Sequence, residues 1–173
     1  MNTDDTPEEC RDAWSAIRDH AFHEWAGVPD SCEYADFDDA FPRLHDEYGR
    51  GTLGSSKRQA RFRRHDAEEY SEPLKVWFRD GEIVLIETPY PAIPDGTADL
   101  LDRLGEPAAR FDYEVDVVVV SGGSWVYPSR GLAVFLDADG ETVNRVSLFH
   151  ACSLDEYTEQ IRQDTGTREF PLG

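Results

Sequence analysis

The spacing of the apolar residues changes partway through residues 100–149, and this change limits the possible folds more than any other feature. Leu101 and Leu104 fall on one helical face. Gly105 and Pro107 end that helix, because glycine accepts a left-handed C-cap and proline cannot continue the hydrogen-bond ladder. Beyond it the spacing becomes two: Leu132, Val134 and Leu136 point one way while Ala133, Phe135 and Asp137 point the other. Asp139-Gly140 supplies the turn into Val143 to Phe149, so a helix feeds an antiparallel hairpin.

An earlier stretch follows the same plan. Phe37, Phe41, Leu44 and Tyr48 mark a helix, and Leu74 to Ile86 mark a hairpin turning at Asp80-Gly81. Leu74-Lys75-Val76-Trp77-Phe78 aligns position for position with Leu132-Ala133-Val134-Phe135-Leu136. The expected fold class is therefore α+β: a helix followed by an antiparallel β-sheet, in two tandem units sharing one sheet layer with helices on one face. The units divide as residues 1–88, an N-terminal helix plus the first unit, and 95–173, the second unit with a C-terminal helix. Residues 89–94 form a proline-rich join, and one compact domain is the alternative.

With 173 residues, 39% of them hydrophobic, the chain can bury one sizeable core or two small ones. Its net charge of -19 disfavours direct contact with nucleic acid or an anionic membrane and favours a protein partner with a basic surface. The start of the chain lacks the basic and apolar regions of an export signal, and no apolar run approaches the roughly 20 residues of a membrane span. A cytoplasmic location is the expectation. Cys10, Cys32 and Cys152 show no paired spacing, so reduced cysteines are expected there.

The first helix is expected to open with Thr6 as cap, Glu9 reaching back and Pro7 in the first helical position. Its stripe, Cys10, Trp14, Ile17, Ala21 and Trp25, reads as core. His20 and His23 are three apart and could share a metal, but the chain carries no HExxH or CxxC pattern, and no metal or cofactor is assigned. Asp36, Asp38 and Asp39 read as the start of the second helix, where negative charge meets the positive end of the dipole. The GxGxxG run over residues 49–54 follows a helix rather than a strand and reads as a connector.

Lys57, Arg58, Arg61, Arg63 and Arg64 are the only basic concentration, a secondary candidate for electrostatic binding. The rival reading is a strand anchored in the core by Phe62. Phe111 to Val120 alternates and then becomes continuous valine, which predicts a central strand covered on both faces and turned by Ser121-Gly122-Gly123. The chain ends in a short helix with Ser153 and Glu156 as capping box, a Leu154, Tyr157 and Ile161 stripe, and Gly166 as its stop.

Leu104-Gly105-Glu106-Pro107, Trp125-Val126-Tyr127, Leu132-Ala133-Val134-Phe135 and Asp139-Gly140 together resemble a known pattern of helix, LG-x-P turn, W-x-Y strand and hairpin. The pattern is that of the superfamily containing the β-lactamase inhibitory proteins and the small lipoprotein subunit of the bacterial outer-membrane barrel-assembly machine. The resemblance covers about a third of the chain well. It implies an α+β fold, tandem units and protein binding through the concave sheet face opposite the helices. The chain departs from that pattern in lacking an export signal, a lipidated cysteine and the paired cysteines of the secreted inhibitors.

The function expected is a non-enzymatic acidic protein-binding module: an inhibitor, an immunity-like protein or an assembly accessory, with no catalytic residues assigned. One alternative is an enzyme or ligand carrier with a pocket between the sheet halves, using His65, His150, Cys152 or buried carboxylates. Another is an acidic surface that mimics nucleic acid. If Leu74, Val76, Phe78, Leu132, Val134 and Leu136 face the core, alternation sends Lys75, Trp77, Arg79, Phe135 and Arg145 to the opposite face. Aromatic and arginine side chains dominate interface energetics, which makes these five the candidate binding residues, with Trp77 and Phe135 expected to be exposed.

Overall fold

The computed structural model describes residues 6–41, 52–53, 57–62, 74–89, 96–115, 117–162 and 168–170. Helix α1 spans Glu8–Arg18, with Cys10, Ala13, Trp14 and Ile17 on its buried side. Pro7 rather than Thr6 stands at the cap position, and no side chain caps the helix. Glu9 instead accepts a hydrogen bond from the Ser31 hydroxyl. The helix stops short of the expected stripe because His20 takes a left-handed φ of 54°. A 3-10 turn at Phe22–Glu24 then delivers Trp25 to the core from outside the helix.

Helix α2 covers Tyr34–Ala40, and Asp36 caps it by accepting from the Glu33 N–H at 2.9 Å. The helix stops before the expected Phe41, whose backbone is extended, and Leu44 and Tyr48 lie outside the described residues. Strands β1 (Thr52–Leu53), β2 (Lys57–Phe62), β3 (Leu74–Arg79) and β4 (Glu82–Pro89) follow. Asp80 and Gly81 turn the β3–β4 hairpin, both at positive φ, as the favoured two-residue hairpin turn requires. Helix α3 runs from Gly96 to Leu104 and ends at Gly105, whose N–H bonds the Leu101 carbonyl at 2.9 Å. The second run of strands is β5 (Ala109–Val115), β6 (Val118–Tyr127), β7 (Leu132–Leu136) and β8 (Val143–Leu148). Helix α4, a single turn at Leu154–Glu156 with the expected Ser153/Glu156 capping box, continues as a π-helical turn over Tyr157–Ile161. Strand β9 is Arg168–Phe170.

The class is α+β. All strand pairs are antiparallel, in the order β1-β2-β3-β4-β8-β7-β6-β5-β9. Each run, β1 to β4 and β5 to β8, is a meander preceded by a helix, and the two meet where β4 pairs with β8. Lys75 and Trp77 therefore share a face with Ala133 and Phe135, matching the alignment of the two hairpins. One face carries α1, α2 and α3 over Leu74, Val76, Leu132, Val134, Leu136 and Leu148. The other carries α4, through Tyr157, Leu154 and Ile161, so the helices do not all lie on one side. No helix among the described residues is long and apolar enough to cross a membrane.

Two further expectations fail for identifiable reasons. Cys10 and Cys32 form a disulfide, with their Cα atoms 5.5 Å apart, because α1 packs beside the turn that leads into α2. Their separation of 22 residues gives no sign of this. The valine run is not a covered central strand. Val117, Val118 and Val119 are 90%, 45% and 59% exposed at the tip of the β5–β6 hairpin. Ser121-Gly122-Gly123 does not turn the chain but lies within β6, beside a register shift between Phe111 and Tyr113.

The turn that leads into β7 requires a glycine. Gly131 has φ +59°, and a Cβ there would sit 2.0 Å from the Phe149 carbonyl oxygen. Trp25 Nε1 donates to the Gly131 carbonyl at 3.1 Å.

Candidate functional site

Opposite α1–α3, the ladder places Lys75, Glu87 and Ser147 side by side on β3, β4 and β8. Strand alternation turns all three side chains to the same face. Glu87 is only 3% exposed. Its Oε1 receives Lys75 Nζ at 3.5 Å and Arg145 Nη1 at 3.4 Å, so two cations converge on one buried carboxylate oxygen. The Arg145 guanidinium also lies over the Phe135 ring, 4.7 Å from its centroid.

Around this group, several buried polar atoms have no hydrogen-bond partner: Glu87 Oε2, Ser147 Oγ, Trp77 Nε1 and Tyr113 Oη. Burial pushes the Tyr113 phenol up to about 12, with Arg145 opposing and the Asp137 and Asp139 charges reinforcing the rise. Asp139 is itself held below the usual carboxylate range by the Thr142 hydroxyl and by the N–H groups of Thr142 and Glu141.

The five candidate binding residues do share this face, but they do not form an open aromatic surface. Trp77 and Phe135 are 3% and 0% exposed, packed with Leu85, Tyr113, Phe149 and Tyr157. The expectation that they stand exposed is overturned, because α4 and the Phe149 segment provide a second layer over that part of the sheet. The Phe149 and Tyr157 rings pack at 5.1 Å. Lys75 and Arg145 are half-buried and engaged with Glu87, and Arg79 alone of the five is exposed.

Arg79 lines a cavity of about 540 Å³ at the hairpin end of this face, together with Glu82, His150, Cys152, Glu156 and Glu159. His150 Nε2 is 3.0 Å from the Ile83 carbonyl and its Nδ1 is 3.2 Å from an Asp30 carboxylate oxygen, an ion pair only when the ring is protonated. Burial, reinforced by the Glu156 charge, pushes the Cys152 thiol up. A thiol so placed stays protonated near neutrality and is a poor nucleophile.

Among the secondary basic set, Lys57, Arg58 and Arg61 lie on β2, with Arg61 in register with Lys75 and Arg58 with Phe78. Phe62, the expected anchor of that strand, is fully buried. Arg63, Arg64 and His65 lie outside the described residues. His20 and His23 do not share a helix, since α1 ends before them, and both line a small cavity beside α3 with Asp99 and Arg103. Among the described residues no group of three or more His, Cys, Asp or Glu side chains could hold a metal ion.

The sequence reading missed Glu87 and the valine tip. Glu87 was marked by its position: a lone carboxylate two residues after Leu85, on an otherwise apolar strand face. Val117 has a φ of 66°, in the left-handed region that a β-branched residue avoids. Nothing in the valine run itself signals a turn. No protein-family model, curated protein or solved structure matches the chain.

Proposed function

We propose that the chain is a non-enzymatic acidic protein-binding module, an inhibitor, immunity-like protein or assembly accessory, that engages its partner through the β5–β6 hairpin tip. The observation that carries this reading is Val117, which is 90% exposed and at φ 66°. Backbone strain of this kind costs about 1–2 kcal/mol, and an exposed valine gains nothing from the fold in return. Burial of Val117–Val119 against a second protein supplies that return. The two helix-plus-meander runs support the two-unit plan of the resembling inhibitors, with contact moved from the covered sheet face to a projecting tip. The raised Cys152 thiol weighs against the enzymatic alternative, while the adjoining cavity keeps a small-ligand role as the second reading. The Cys10–Cys32 bridge favours an oxidising compartment over the reducing cytoplasm.

The test uses wild-type protein and Val117→Gly as bait in extracts of the source cells, followed by calorimetry with the purified partner. Val117→Gly relieves the strain, so it is expected to raise stability by about 0.5–1 kcal/mol while weakening partner binding about tenfold. A partner that binds both proteins equally would overturn the assignment of the tip.

A further inference from the structure

Strand β6 is longer than the sheet beside it. It pairs with β5 from Val118 onward, in the register Val115 with Val118, Glu114 with Val119 and Tyr113 with Val120. On its other side, β7 reaches it only from Ser124. Within the overhang, Gly122 is already engaged: its N–H donates to Asp112 Oδ1 at 2.6 Å and its carbonyl accepts from Trp125 Nε1 at 3.0 Å. Val118 to Val120 are different. No described strand pairs with them on the β7 side, so the backbone groups that point away from β5 form a short open edge on which Val118 and Val119 are exposed while Val120 turns into the core. Such an edge is a template for strand addition.

The charges around the edge indicate what would add to it. Glu114 is the direct cross-strand neighbour of Val119 and stands in register on its other side with Arg168 of β9, and Asp112, which accepts from Gly122 N–H and the Ser121 hydroxyl, lies on the same arm. Asp137 and Asp139 are close enough that their charges raise the Tyr113 phenol, and Tyr113 is paired with Val120. A second copy of the chain would bring the same carboxylates and a further net charge of -19 against this edge. An extended segment alternating apolar with lysine or arginine residues would place its apolar side chains on the valines and its cations among the carboxylates.

Resting on the protein-binding reading, we infer that the free edge of β6 at Val118–Val120 receives an extended basic-apolar segment of the partner as an additional antiparallel or parallel strand. The probe is a synthetic nine-residue peptide alternating valine and lysine, with a valine–glutamate peptide as control, followed by NMR on isotope-labelled full-length protein. The lysine peptide is expected to slow exchange of the outward-pointing amides in Val118–Val120 about tenfold or more and to show cross-strand contacts with them. Its affinity is expected to fall with added salt and to drop about tenfold in Val119→Lys. Equal binding of the glutamate peptide, or no change at those amides, would overturn the inference. So would protection that appears with rising protein concentration alone, since a second copy would then occupy the edge. If the natural partner is lost on Val117→Gly yet leaves the β6 edge amides unchanged, tip binding stands and strand addition falls.

Discussion

The two faces of the sheet are buried by different means. The helical face is closed by three helices and by aromatic rings set against one another: Trp14 on Phe37 at 5.0 Å, Phe37 on Phe41 at 4.3 Å and Phe37 on Phe62 at 5.0 Å. Several of its polar groups find carbonyls, as when Tyr127 Oη donates to Gly105 O at 3.0 Å, although Trp14 Nε1 and Thr88 Oγ1 have no partner. Among the described residues, the opposite face has one short helix over it and sets Glu87 between Lys75 and Arg145, with unpartnered atoms beside them. A fold that needed only stability would place apolar residues at Glu87 and Ser147, because burying charge rarely improves on burying a hydrophobe. Among the described residues, the first face gains from its area, and the second adds a specific arrangement of charge to a buried aromatic cluster of its own.

Truncation of a large side chain should have the biggest effect, and it tests whether both faces are sealed. Trp14→Ala and Phe135→Ala should each lower unfolding free energy by about 4 kcal/mol in denaturant titration. A near-wild-type Phe135→Ala would show that the second face is open after all. Next comes the bridge behind the helical face. Reduction, or the double change Cys10→Ala with Cys32→Ala, should cost about 3 kcal/mol by freeing the unfolded chain. Unchanged melting on reduction would mean that α1 holds its place by packing alone.

Glu87→Gln keeps the shape and removes the charge, leaving Lys75 and Arg145 facing one another half-buried, at a cost of about 2–3 kcal/mol. An increase in stability instead would mark the row as a site kept for binding. The smallest difference lies between two tyrosines. Tyr127→Phe loses a hydrogen bond and should cost about 1 kcal/mol at neutral pH, whereas Tyr113→Phe removes an unpartnered hydroxyl and should cost almost nothing.

Their pH dependence sharpens the same contrast. Both phenols are pushed up from 10.0 to about 12, chiefly by burial. Below pH 10 folded and unfolded chains both keep these protons. Above it the unfolded chain releases them while the folded chain does not until about pH 12, so stability falls across that window. Each Tyr→Phe change should flatten the alkaline loss by about 2 kcal/mol. An alkaline limb unchanged in both variants would show that these hydroxyls are reached by water in the folded state.

Alternation along Leu74–Phe78 and Leu132–Leu136 was legible because strand geometry has a strict period of two, and it correctly separated Leu74, Val76, Leu132 and Val134 from Lys75, Trp77 and Phe135. Which face stays open was not legible in it. A face is exposed or sealed according to where a distant segment folds back, here Phe149 and α4. The same limit explains the cysteines, since a disulfide across 22 residues depends on how α1 docks rather than on spacing. The valine run misled for a related reason. Continuous β-branched residues announce a strand but not how far the neighbouring strand extends, and β7 ends before it reaches them.

Local chemistry in the sequence was enough to determine the α+β class, the Asp80-Gly81 turn, the Gly105 helix stop and the Ser153/Glu156 cap, because each depends on backbone preferences within a few residues. Tertiary structure alone decided that Trp77 and Phe135 are buried, that Glu87 sits between two cations, that Cys10 meets Cys32, and that Val117–Val119 stand free. The first three depend on segments far apart in the chain arriving at one place, and the last on β7 ending before it reaches the tip, and no short-range pattern records either.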